Sequence, residues 1–112
     1  MTLNRVLTAA LAPIAPVEAD TYEGRRAAYL TFGYHTIPAD YADDEPGNEV
    51  ALVHVHLFAP AGMDTQQKRR QIAAALRAAG MTAPRCVNAS DKQGQHFVFE
   101  CETAQGVGLW DG

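Results

Sequence analysis

The segment from Glu49 to Phe58 constrains the fold more than any other part of the chain. Ala51, Val53, Val55 and Leu57 recur at every second position. The alternate positions are Val50, Leu52, His54, His56 and Phe58. Side chains alternate across a strand with period two, so this pattern reads as a β-strand with one wholly apolar face. The other face is mixed, with two histidines between a leucine and a phenylalanine. A sheet built around this strand must cover its apolar face with helices or a second layer.

The flanking segments supply that cover. Leu3, Val6, Leu7, Ala10, Leu11 and Ile14 follow helical spacing, with Thr2 as a candidate N-cap and Pro13 ending the helix near Ala12. A second helix starts at Asp64, with Gln67 three residues on in capping-box position. Its apolar stripe is Ile72, Ala75, Leu76 and Ala79. Gly80 stands where a glycine ends a helix, and Lys68, Arg69, Arg70 and Arg77 take the other faces.

Three further strands are predicted. Ala27 to His35 is aromatic and β-branched, with Leu30, Phe32 and Tyr34 on one face and Tyr29, Thr31 and His35 on the other. Arg85 to Ser90 and Gln95 to Glu102 flank the turn Asp91-Lys92-Gln93-Gly94 and read as a hairpin. Phe97, Phe99 and Cys101 alternate with His96, Val98, Glu100 and Glu102. The expectation is an α+β domain of order α-β-β-α-β-β. Its antiparallel four-stranded sheet carries both helices on one face. At 112 residues the chain is one domain, with residues 103–112 expected to form a flexible C-terminal tail. The uncovered face would hold Tyr29, Leu52, Phe58 and Val98. Such a surface is apolar enough to mark an interface.

Charge narrows the function. A net charge of -4 does not give the basic footprint that binds nucleic acid through its phosphates. No apolar run approaches the roughly 20 residues of a membrane span. The apolar residues of the N-terminus keep helical spacing instead of forming a signal-peptide block, so the chain reads as cytoplasmic. Two cysteines, Cys86 and Cys101, do not make a disulfide framework. Both read as reduced and packed, although a pair across the hairpin is open, depending on register.

No catalytic signature is present, and the chain is not expected to be an enzyme. His54 and His56 project from one strand face, as two ligands of a zinc site do, with His35 or His96 as a possible third. The favoured reading is that these histidines donate hydrogen bonds at a polar–apolar boundary. A metal- or ligand-binding module using His54, His56 and His96 is the alternative. No cofactor is expected. Cys101 and His96 fall on opposite strand faces and cannot form a nucleophile–base pair. The acidic loop Asp40, Asp43, Asp44 and Glu45 lacks the spacing of a calcium loop. It is better suited to pair with Lys68, Arg69 and Arg70 of a neighbour.

The segment Ile37-Pro38-Ala39-Asp40-Tyr41-Ala42-Asp43-Asp44-Glu45, running into the strand Val50 to Ala59, resembles the tail terminator (tail completion, head–tail joining) proteins of long-tailed phages. The likeness spans about Leu3 to Glu102. It takes in Tyr22-Glu23-Gly24, the helix at Lys68 to Ala79, Gly80-Met81-Thr82 and the strand His96 to Glu102. Within the resemblance, His54 and His56 look particular to one branch of the family, and the Trp110 tail is not placed by it.

The resemblance implies a structural virion protein. It would be assembled in the host cytoplasm as a hexameric ring and located in the tail. The ring would cap the tail tube, meet the tube protein on one side and the head–tail connector on the other, and pass DNA without reading its sequence. Asp43, Asp44 and Glu45 would then approach the lumen. Leu52, His54, His56, Arg69 and Arg70 are candidates for the contacts between subunits or with partners.

Overall fold

Alternation along the central strand is realised in the computed structural model, which describes residues 2–18, 27–38 and 48–106. Ala51, Val53, Val55 and Leu57 are each 2% exposed or less, while every residue between them is half-buried. This strand, β3 (Asn48–Ala59), lies in a five-stranded sheet with β1 (Val17–Glu18), β2 (Tyr29–Pro38), β4 (Arg85–Asn88) and β5 (Gln95–Gly106), in the order β1-β2-β3-β5-β4. Among themselves the four main strands pair antiparallel.

Helices α1 (Leu3–Leu11) and α2 (Gln66–Ala78) pack on one sheet face. The α+β class and the element order are therefore as the sequence predicts. The addition is β1, a two-residue strand paired in parallel with Leu30 and Thr31. It falls between the first predicted helix and the strand predicted from Ala27. Two residues are too few to display a period.

One core joins both helices to the sheet. Leu3, Leu7 and Leu11 of α1 and Ile72 and Leu76 of α2 meet Leu30, Val55, Leu57, Phe97 and Phe99. Neither helix is long enough to be stable alone, so burial against the sheet holds both. Thr2 caps α1 as expected, its Oγ1 accepting from the Arg5 N–H at 3.1 Å. The end of α2 is a Schellman motif. Gly80, at φ 94, donates to the Arg77 carbonyl, and Met81 donates to Leu76. Only a residue at ease with positive φ closes a helix this way.

The start of α2 departs from the expected capping box. The N-cap is Thr65, whose side chain makes no capping bond, and Asp64 Oδ1 accepts from the Gln66 N–H at 3.0 Å. Thr65 is 1% exposed and its hydroxyl is otherwise engaged. It donates to Gln95 Oε1 at 2.8 Å and accepts from Arg69 Nε at 3.2 Å. Gln95 Nε2 donates in turn to the Pro60 and Met63 carbonyls. A tether between helix and sheet has displaced the local cap.

Strand boundaries also differ, and β2 covers Tyr29–Pro38 where Ala27 to His35 is expected. β4 ends at Asn88, not Ser90, because side chains take over the bonding there: Asn88 Oδ1 accepts from the Ser90 N–H, and Ser90 Oγ from the His96 N–H. β5 runs on to Gly106, pairing with β3 as far as Asn48. Residues 103–106, expected in a flexible tail, are thus part of the sheet, and Thr103 is buried. At the β4–β5 turn, a Cβ on Gly94 would lie 2.8 Å from the Ala59 carbonyl oxygen, so the close approach requires glycine. Asp43, Asp44, Glu45, the Tyr22-Glu23-Gly24 segment and Trp110 lie outside the described residues. Among the described residues, no helix is long and apolar enough to cross a membrane.

Candidate functional site: a histidine and aromatic row on the outer sheet face

Pairing register determines which side chains share the face away from the helices. On β2 they are Tyr29, Thr31, Gly33 and His35. Across from them on β3 stand Phe58, His56, His54 and Leu52 respectively. On the other side of β3, His96 faces Phe58, Val98 faces His56, Glu100 faces His54 and Glu102 faces Leu52. Arg85 and Val87 of β4 complete the face opposite Glu100 and Val98.

Three histidines meet here. His54 Nδ1 lies 3.0 Å from His56 Nε2, and His56 Nδ1 lies 2.8 Å from His96 Nε2. Both are hydrogen-bond distances, so the imidazoles form a continuous row with His56 in the middle. Residues 54 and 56 come together because they are two apart on one strand. His96 joins through the diagonal between β3 and β5. His35, the other candidate third member, stands opposite Leu52 instead and is exposed.

The row is braced by rings. Phe58 stacks on His96 at 4.3 Å between centroids with planes 19° apart, and Tyr29 stacks on Phe58 at 5.0 Å and 17°. Offset stacking of this kind adds roughly 0.5–1.5 kcal/mol per pair beyond area burial. His56 and His96 instead meet edge to edge, their centroids 5.0 Å apart along the 2.8 Å nitrogen contact. At the far end, the His54 ring lies over Gly33. A Cβ there would come within 2.6 Å of His54 Cε1. The missing side chain of Gly33 is therefore the seat of His54. A glycine inside a strand hints at such a close approach, but its partner is named only by register.

Burial holds His56 and His96 toward their neutral form. His56 has its pKa lowered first by desolvation and then by the nearby His54 and His96. His96 is lowered by desolvation, with Asp91 pulling the other way.

Nitrogen geometry bears on the metal alternative. His56 turns one nitrogen to each neighbour, so the three rings share no single point where one ion would meet all of them. Among the described residues, no group of three His, Cys, Asp or Glu side chains is placed to hold a metal ion.

The remaining candidates are dispersed. Leu52 is half-buried beside a groove of about 510 Å³, lined also by His35, His54, Arg85, Glu100 and Glu102. Arg69 lies on the helical side of the sheet, its guanidinium 4.4 Å over the Phe97 ring and bonded to Thr65. Arg70 is exposed. Both cysteines are free thiols, Cys86 exposed and Cys101 buried. Cys86 is paired in register with Phe99, not with Cys101. Burial and then Glu102 raise the Cys101 pKa to about 11, and Met81 Sδ lies 3.8 Å away.

No protein-family model and no curated protein matches this chain.

Proposed function

We propose that this chain is a ring-building structural subunit of the phage tail terminator class. It closes the tail tube, joins it to the head connector and lets DNA pass. One observation carries the reading. The sheet already has both helices on one face, yet its other face presents half-buried Leu52, His56, Phe58 and Val98 with stacked rings among them. A domain of 12.1 kDa gains burial by covering such a face with another copy. In a closed ring each subunit offers two different patches, head to tail. The outer face is one patch, and exposed Arg70, toward which the acidic Asp43, Asp44 and Glu45 of a neighbour would be drawn, is the other.

Negative-stain electron microscopy of the purified protein tests the reading. Rings with a central hole wide enough for duplex DNA are expected. Val98→Glu, which places a charge in the middle of the outer face, should abolish them while leaving the circular dichroism spectrum unchanged. Rings that persist in V98E would remove this face from the assembly, and a field without rings for the unaltered protein would remove the reading.

A further inference from the structure

Proton bookkeeping along the histidine row leads beyond assembly. The row has two internal contacts, and each needs one proton between its two nitrogens. Four ring nitrogens are committed to these contacts and together hold two protons. The outer nitrogens, His54 Nε2 and His96 Nδ1, can hold one each. The intact row therefore carries at most four protons, while three neutral imidazoles carry three. One excess proton fits. It can sit on His54, His56 or His96, moving when the bridging protons shift across their contacts. A second excess proton sets N–H against N–H in one contact, and that contact must open.

We infer that His54, His56 and His96 form a one-proton switch: the row, and the ring stack braced on it, stays closed through the first protonation and opens on the second. Opening separates two N–H groups turned toward each other in a row that now carries two positive charges. His96 cannot swing away without leaving Phe58, and Phe58 carries the stack to Tyr29.

Charged groups of both neighbouring strands and of one turn surround the row. Glu100 stands opposite His54 on one side and opposite Arg85 on the other. His35 of β2 lies diagonal to His54, beside Gly33. Asp91 and Lys92 occupy the turn next to His96, and Asp91 favours the proton there. Both helices lie on the opposite sheet face and add no charge to this one. The lowered pKa values of His56 and His96 agree with a row that is neutral at rest.

The test is a histidine NMR titration of the full chain labelled at the imidazoles, from about pH 8 to pH 4.5. His54, His56 and His96 should shift together in a first step. A second step should follow about one pH unit or more lower, as strongly interacting sites require, and the Phe58 ring resonances should move only then. His56→Phe keeps a ring in the stack but removes both central nitrogens. His54 and His96 should then titrate separately, with no second step. His56→Gln serves if that variant does not fold. Three independent titrations near the ordinary value of about 6.5 would overturn the switch, as would Phe58 moving with the first proton. The ring reading fails separately: a chain that never assembles sinks the ring and leaves this titration unaffected.

Discussion

Gly33 shows how much one missing atom can organise. Its partner across the ladder is His54, and the imidazole occupies the space a methyl group would take. Gly33→Ala should push His54 away from His56, because a Cβ at 2.6 Å cannot be accommodated without movement. The variant is expected to lose the 3.0 Å contact and about 1 kcal/mol of stability. Thermal melting together with the His56 imidazole shifts will check both parts. A variant as stable as the parent, with unchanged His56 shifts, would show that the seat is not needed.

The cysteines make a second residue-scale case. Cys101 is buried with a pKa near 11, so almost none of it is thiolate at neutral pH, whereas Cys86 is exposed. Iodoacetamide should modify one thiol per native chain and two after denaturation, as intact mass would record. Modification of both in the native state would contradict the packed role of Cys101.

At the scale of elements, α2 depends on its two ends and its stripe. Leu76 is fully buried and its carbonyl also accepts from Met81 in the terminal motif. Leu76→Ala should cost about 2–5 kcal/mol, read from denaturant midpoints. Gly80→Ala should cost about 1 kcal/mol, since alanine resists φ 94. A Leu76→Ala loss no larger than that of Gly80→Ala would mean that the packing around Leu76 closes up without leaving a cavity.

Where strong periodicity exists, elements were legible before any coordinates. The β3 alternation, the α1 stripe and the Gly80 stop all appear in the sequence, because burial and backbone chirality act on them locally. What was hidden depends on partners distant in the chain. Thr65 gives up capping for Gln95, thirty residues away. β5 continues past Glu102 because β3 is long enough to pair with it. The site divided in the same way. His54 and His56 declare themselves by spacing, but His96 could be chosen over His35 only through register. Arg69, which reads as a surface cation, is occupied by Phe97 because the helix is seated over β5.

For the whole molecule, pH links the site to stability. The folded-state pKa values of His56 and His96 are lowered, so the unfolded chain binds more protons than the folded one as pH falls below about 6.5. The stabilisation is fully present above that value and is lost as pH drops through the folded pKa values. Melting temperature should therefore decline from pH 7 to pH 5, and the decline should be shallower in His56→Gln. The same slope in both proteins would assign it to other groups.

The proposed ring requires that this small domain, with ring-stacked side chains on its outer face, associate with copies of itself. Light scattering across a concentration series at pH 7.5 measures that association. A particle of six 12.1 kDa chains, or a mass rising toward that value with concentration, is the expected result. A strict monomer at every concentration would contradict it.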